Sequence, residues 1–479
     1  MKKITLFLFF VILVASFFVR LYRINNPVAD WHSWRQVDTA AVTRNFVKDG
    51  IDLLHPRFDD LSNIASRLDN PQGYRFVEFP LYNAIVAVSF NAFGTFSIEA
   101  WGRLINIIAS LGTLTFLFLL VKKYLGVRIG LLAAFFFGFL PFNIYYSRTI
   151  LPDTSMVMAI LGGTYFFDTW LAKTTRWHFY VLAIIFTAAA FLLKPYALFF
   201  TLPMVYLAYQ KWGRQFIIKW ELWLFAIIAL LPFVLWRNWI TQFPEGIPYS
   251  AWLFNEGNIR FKGAFFQWIF ADRVGRLILG YWGVALLVLG IVRKRGKKEG
   301  LFFDTFLASS LLYLFVIARG NVQHDYYQIL IIPIISVFLA KGADFLLAVP
   351  KEYFSRVASY TLFIITVFFM FSFGWYHVRD YFNINNPAII TAGRVVDSLT
   401  PKDAKVVAPY GGDTAFLYQT NRQGWASFTY SVPELIERGA THAVILATDG
   451  DGKELVKDYP VVFQADEFFL VELRGSDQK

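Results

Sequence analysis

Asp30-Trp31-His32-Ser33-Trp34-Arg35-Gln36-Val37-Asp38 follows closely on an apolar run that starts at Ile4 and reaches Val19. Two carboxylates, a histidine and an arginine stand among large aromatics where a hydrophobic helix would surface from lipid. Ionisable groups at a membrane boundary are costly to hold, so by default they mark function. The run before the stretch reads as a first membrane span and the stretch itself as the start of an outer loop.

The composition agrees. The 479-residue chain is 57% hydrophobic and only 16% charged, with a mean hydropathy of +0.48. An ordinary soluble domain is roughly 45–50% apolar and about 25% charged, so this chain belongs with polytopic membrane proteins. The formal charge of +11 does not point to nucleic acid, because Lys and Arg cluster between apolar runs, as at Lys122-Lys123 and Arg293 to Lys298. That is the signature of cytoplasmic loops. The absence of cysteine excludes disulfides and thiolate chemistry. The N-terminal run is too long for a typical signal-peptide core and lacks a small-residue cleavage site, so an uncleaved first helix is expected, with Lys2 and Lys3 in the cytoplasm.

A bilayer-spanning helix needs about 20 apolar residues, and basic loops set its direction. Helix 1 covers residues 4–21 and is followed by an outer segment, 22–103. The apolar stretch 80–93 inside that segment is short and suits an interfacial helix. Spans are then expected over 104–121, 129–146 and 154–171, over a hairpin around Lys194-Pro195, and over 221–239. An outer loop, 240–276, precedes a span that returns to the basic run 293–298. Spans over 301–318, toward Lys351 and Arg356, and over 357–375 complete about eleven transmembrane helices. The N-terminus is then inside and the C-terminus outside. Residues 1–375 form the membrane domain and 376–479 a small soluble α/β domain on the outer face. In that domain Lys405 to Tyr410 reads as a strand ending at a Gly411-Gly412 turn, Pro433 to Arg438 as a short helix, and Thr441 to Ala447 and Phe468 to Leu473 as strands. Two glycines are too little to mark a phosphate cradle, and a plain turn is the expected reading.

The charged groups near membrane depth all fall on the non-cytoplasmic side: Asp30, His32, Arg35, Asp38, Arg44, Glu78, Arg103, Arg148, Asp153, Lys194 and His324. A transporter or flippase of lipid-linked sugars, the alternative reading, would carry polar groups near the midplane on broken helices, and Lys194-Pro195 is the one comparable feature. Arg and Lys bind phosphate. An ionised Asp can take a proton from an attacking hydroxyl, and basic groups can stabilise a departing phosphate. Together they describe sugar transfer from a lipid phosphate.

The order of motifs resembles the GT-C membrane glycosyltransferases, specifically the protein O-mannosyltransferase and lipid A aminoarabinose transferase group (glycosyltransferase family 39-like). The matching elements are Asp38-Thr39-Ala40-Ala41-Val42-Thr43-Arg44-Asn45, Glu78-Phe79-Pro80-Leu81-Tyr82, Arg103-Leu104, Ser147-Arg148-Thr149-Ile150-Leu151-Pro152-Asp153, Lys194-Pro195, and Tyr326-Tyr327 with Pro333. They span most of residues 1–345. The resemblance implies a polytopic α-helical GT-C fold, a polyprenyl-phosphate sugar donor and inversion at the anomeric carbon. The acceptor would be a lipid, a glycan or a protein, and the setting the bacterial cytoplasmic membrane. Two departures stand out. Where relatives carry an acid about nine positions before the residue matching Arg44, this chain has Arg35, and Glu78 stands in place of a lysine.

Catalysis is therefore expected from Asp38, with Asp153 orienting the acceptor and Asp30 as the other candidate base. Substrate binding is expected from His32, Trp34, Arg35, Gln36, Glu78, Arg103, Arg148, Lys194, His324 and Tyr327. Each has an ordinary reading too. Asp38 and Asp153 suit helix starts, Arg103 suits a snorkelling helix end, and Trp31, Trp34 and Trp252 suit an interfacial belt. Lys194 at a helix break inside a bundle calls for an anionic partner. His32 and His324 lack metal-ligand spacing, so no zinc site is expected. No cofactor is required, although a divalent cation between Asp38 and Asp153 is compatible with the residue types.

Overall fold

The computed structural model describes residues 2–348, 355–450 and 454–473. Lys351, used above as a cytoplasmic marker, lies outside the described residues. The first ten α-helices are α1 (Lys2–Arg20), α2 (Ser33–Asp49), α3 (Leu81–Phe93), α4 (Ile98–Leu125), α5 (Val127–Phe139), α6 (Pro141–Tyr146), α7 (Asp153–Ala172), α8 (Trp177–Leu193), α9 (Leu202–Trp212) and α10 (Trp220–Ile240). The chain divides into two compact units, each made of separated segments.

The helical unit comprises Met1–Ile24, Arg103–Leu235 and Ser250–Tyr381. Among the described residues of the whole chain, five helices are long and apolar enough to cross a membrane, or six if the bent pair Gly263–Ile278 and Gly283–Val292 counts as one span. Val127–Phe139, Trp177–Leu193 and Phe302–Val316 are apolar but shorter. The expected spans coincide with helical segments, several of them interrupted. Pro141 divides α5 from α6, because a proline lacks the N–H that would continue the ladder. The hairpin expected around Lys194-Pro195 has Lys194 extended between α8 and a 3-10 turn, Pro195–Thr201. The bent pair turns by 115°.

Helix packing in this unit depends on small residues. A Cβ on Gly290 would lie 1.9 Å from the Phe338 carbonyl oxygen, and one on Gly342 would lie 2.0 Å from that of Leu286. The helix Gly283–Val292 thus crosses Ile332–Ala348 with backbones in direct contact, as small residues permit in membrane helices. The fully buried Arg20 donates to the Ser16 carbonyl at 2.9 Å, the Gly138 carbonyl at 2.8 Å and the Ser147 hydroxyl at 2.7 Å. A buried guanidinium is tolerated where oxygens take its protons.

The mixed unit comprises Asn25–Gly102, Trp236–Tyr249 and Phe382–Lys479. Its five-stranded sheet runs β2-β1-β3-β5-β4, with β1 Lys405–Val407, β2 Gly424–Trp425, β3 Ala440–Leu446, β4 Val461–Gln464 and β5 Phe468–Glu472. β1 is parallel to β2 and β3, and β5 is antiparallel to β3 and β4. Gly411 and Gly412 both have positive φ, 62° and 82°, as a tight turn after β1 requires. The helix Val432–Glu437 begins with a capping box between Ser431 and Glu434. The segment after α2 continues the sheet. Leu61 N donates to the Gly424 carbonyl at 2.7 Å and Gly424 N to that of Asp59 at 3.0 Å, so the otherwise open edge at β2 is paired. Leu61 joins Val407, Trp425, Ala443 and Val471 in one apolar core. Asn83 of α3 donates to the Thr39 carbonyl at 2.7 Å and fastens α3 to α2.

Candidate active site

In the mixed unit, α2 carries most of the opening stretch. Arg35 and Asp38 are three positions apart and project from one side of the helix, as that spacing dictates. Arg75 and Glu78, also three apart, supply their partners. Arg35 Nη2 donates to both Glu78 oxygens at 2.7 Å, and Arg75 Nη2 donates to Asp38 Oδ2 at 2.5 Å. The other Asp38 oxygen accepts the Thr414 hydroxyl at 2.7 Å. Asp38 is only 4% exposed. Glu78, which stands where relatives place a lysine, is thus the anion that matches Arg35.

The remaining residues of the stretch hold its shape. Gln36, fully buried, donates to Asp30 Oδ1 at 2.8 Å and to the Trp31 carbonyl at 3.2 Å. Asn385 donates to the Asp30 carbonyl at 2.9 Å. His32 adopts a left-handed backbone, φ 56° and ψ 35°, at the start of α2, with its ring 5.1 Å from that of Trp31. The Trp34 carbonyl accepts from Thr414 at 3.4 Å. Arg44 lies over the Tyr418 ring at 4.0 Å and pairs with Asp59, while the Tyr418 hydroxyl donates to Glu99 at 2.6 Å.

Two further acids surround Asp38. Burial pushes the Asp60 carboxyl up to about 6, and the nearby charge of Asp38 adds to the rise. Asp413 is also pushed up to about 6, first by burial and then by Asp38, with His32 opposing. Crowded carboxylates disfavour one another's ionisation.

In the helical unit, Asp153 opens α7 and Lys194 closes α8. Lys194 Nζ donates to both Asp153 oxygens at 2.8 Å, and both side chains are buried. The Asp153 carboxylate is thus the counter-charge of the Lys194 ammonium in the fold. The Lys194 ammonium lies 5.1 Å from the Tyr327 ring centroid and 5.7 Å from those of Tyr196 and Tyr326. His324 stacks on Tyr326 with centroids 5.4 Å apart and meets Trp252 edge-on at 5.5 Å. Arg103 donates to the Ile24 carbonyl at 2.6 Å, and Arg148 to those of Tyr22 and Arg23 at 2.7 and 2.9 Å. Both arginines therefore bind the chain just after α1. Asn106 donates to the carbonyls of Thr149 and Leu151 at 2.5 and 2.7 Å and fixes the loop that leads to Asp153.

Sequence reasoning missed Arg75, Thr414 and Asp325. Arg75 lay three positions before Glu78, the spacing of Arg35 and Asp38, and that repeat was the available signal. Thr414 carried none, being an ordinary residue of a turn. Asp325, 1% exposed, accepts the Tyr381 hydroxyl at 2.9 Å and that of Tyr146. It follows His324 in the stretch Arg319 to Asp325, where only the histidine was chosen.

Among the described residues no group of three or more His, Cys, Asp or Glu is arranged to hold a metal ion. Asp38 already faces the Arg75 guanidinium and Asp153 the Lys194 ammonium. A cation at either carboxylate would meet a resident positive charge, so these donors do not fit a divalent ion.

Residues 75–239 match the sequence profile of the dolichyl-phosphate-mannose-protein mannosyltransferase family. No curated protein matches in sequence. The fold is similar to that of ArnT from Cupriavidus metallidurans bound to undecaprenyl phosphate, with a TM-score of 0.68 and 14% identity, covering 98% of both chains. It is also similar to the Archaeoglobus fulgidus oligosaccharyltransferase AglB in complex with an inhibitory peptide and a dolichol-phosphate. There the TM-score is 0.59 and the identity 10%, covering 91% of this chain and 69% of that one. The A. fulgidus oligosaccharyltransferase in complex with Zn and sulfate gives 0.57 and 11%, with 90% and 67% covered. The chain thus shares its fold with ArnT and the oligosaccharyltransferase and resembles the mannosyltransferase family over residues 75–239.

Proposed function

We propose that this protein is an inverting glycosyltransferase of a bacterial cytoplasmic membrane, moving a sugar from a polyprenyl-phosphate donor to an acceptor hydroxyl on the outer face. The acceptor oxygen attacks the anomeric carbon, the bond from that carbon to the phosphate oxygen breaks, and polyprenyl phosphate departs with the bonding electrons. Asp38 takes the acceptor proton. A single displacement inverts the configuration.

The observation that carries this reading is the setting of Asp38. It is an acid in the second turn of α2 with one oxygen on Arg75 and the other on Thr414, in a chain whose fold is similar to that of ArnT. Two fixed donors orient a carboxylate, and preorganised geometry is what a general base requires. Asp30 is the weaker candidate, because Gln36 and Asn385 tie it into the loop. Arg35, Arg103, Arg148 and Lys194 are the proposed phosphate ligands. Each already binds an oxygen of the protein, the kind of atom a phosphate would present. Asp153 sets the position of Lys194, and the rings of Trp34, His324 and Tyr327 offer flat faces to a sugar. The undecaprenyl phosphate and dolichol-phosphate of the two similar structures support an isoprenoid carrier.

The test is incubation of purified protein with a synthetic polyprenyl-phosphate sugar and an acceptor. Release of polyprenyl phosphate, lost in Asp38→Asn, is the expected result. Movement of intact donor across a vesicle bilayer without bond cleavage would instead identify a flippase.

A further inference from the structure

A cavity of about 410 Å3 separates α10 from the bundle of α7, α8 and α9. Its walls include Phe167, Phe191, Met204, Phe225, Ala229 and Leu230, and the 3-10 turn Gly213–Ile218 contributes Phe216 and Ile217. The cavity opens at the surface, where Leu198, Val205, Ile217 and Trp223 of its lining are exposed, and its mostly apolar walls offer water few polar partners. Left empty, it would forfeit the contacts of every side chain that lines it. An apolar chain is the occupant such walls favour.

The mouth says which chain. The stretch Lys211 to Trp223 carries Lys211, Arg214 and Lys219 against one carboxylate, Glu221. Its apolar residues Ile217, Ile218, Trp220 and Trp223 are exposed, as suits an element lying at a lipid interface. Some basic residues assigned to the cytoplasmic side are matched by acids, Lys123 by Asp168, Arg128 and Arg293 by Asp344, Arg295 by Asp304, and Lys341 by Glu299. Among the described residues, Lys211, Arg214 and Lys219 form no salt bridge. Unmatched cations beside an apolar cavity at the cytoplasmic leaflet are complementary to an anionic lipid headgroup.

We infer that this cavity is a binding site for one acyl chain of an anionic phospholipid of the cytoplasmic leaflet, whose headgroup rests on Arg214 and Lys219. The site is independent of Asp38 and of the transfer reaction. A lipid there would fill the gap beside α10.

The test is to reconstitute the purified full-length chain into vesicles of equal phosphatidylglycerol and phosphatidylcholine, extract it gently, and identify retained lipid by native mass spectrometry. The expected result is one retained phosphatidylglycerol, enriched about fivefold for each cation engaged. Ala229→Trp fills the cavity and should abolish retention. The double variant Arg214→Gln with Lys219→Gln leaves the cavity intact and should retain a lipid without headgroup preference, which keeps the test decisive if Ala229→Trp fails to fold. Equal retention of both lipids by the wild type would overturn the proposal, as would enrichment unchanged in the double variant. Displacement of phosphatidylglycerol by an equimolar polyprenyl phosphate would also overturn it, and would assign the cavity to an isoprenoid tail.

Discussion

Lys194 donates to both carboxylate oxygens of Asp153, 2.8 Å to each, and neither side chain is more than 5% exposed. Removing one member of such a pair leaves a buried charge without its counter-charge, a loss of about 3–5 kcal/mol. Asp153→Asn and Lys194→Met are each expected to lower the thermal unfolding midpoint of the solubilised protein sharply. The double variant should recover much of that loss while staying inactive if Lys194 also serves the donor phosphate. An active, stable double variant would remove both residues from the site.

Asp38→Asn keeps the size of the side chain and removes its capacity to take a proton. Turnover of the folded variant should fall by about 10²–10⁴-fold, and the unfolding midpoint should fall as well, because the Arg75 guanidinium loses its buried counter-charge. Near-normal turnover would discard Asp38 and direct attention to Asp30.

Thr414→Val removes the hydroxyl that meets Asp38 Oδ1 and should lower kcat with a smaller effect on KM, while Thr414→Ser restores it. An equal loss in both variants would mean that packing, not the hydrogen bond, is the contribution of Thr414.

Asp60 has a carboxyl pushed up to about 6 by burial and by Asp38, against an ordinary value of 3.8. The folded state therefore holds its proton more tightly than the unfolded chain. The stability from this group is fully present below about pH 4 and is lost as pH rises through 6, by up to about 3 kcal/mol. Asp60→Asn cannot ionise, so its unfolding midpoint relative to wild type should rise between pH 5 and pH 8. A difference constant across that range would refute the assignment.

At the helix crossing, Gly290 and Gly342 meet backbone carbonyls at distances no Cβ tolerates. Gly342→Leu should force the helices apart and abolish a well-defined unfolding transition. Gly263, whose Cβ would meet nothing within 4 Å and whose backbone is not left-handed, offers a control for the general cost of losing a glycine. A cooperative transition near the wild-type midpoint in Gly342→Leu would contradict the close approach.

Much of the architecture was legible because hydropathy and charge are properties of short windows. The apolar runs and Lys/Arg clusters mark α1, α4 and α10, the short apolar α3 and the polar C-terminal segment with its strands. The interruption at Lys194-Pro195 was legible too, whereas 129–146 reads as one span and the break at Pro141 appears only in the structure. The edge strands β2 and β4 were not, being two and four residues long with no sustained alternation.

For the candidate site, the chain by itself determined which ionisable residue types flank the apolar runs, and that an ammonium at a helix break calls for an anionic partner. Only the tertiary structure decided the partners. Asp38 meets Arg75 across 37 positions and Thr414 across 376, and Lys194 meets Asp153 across 41. Glu78, an anomaly in sequence, became the counter-ion of Arg35. Hydropathy and propensity act over one turn or one span, whereas the choice of ion-pair partner depends on which segments pack together, a property that no local window contains.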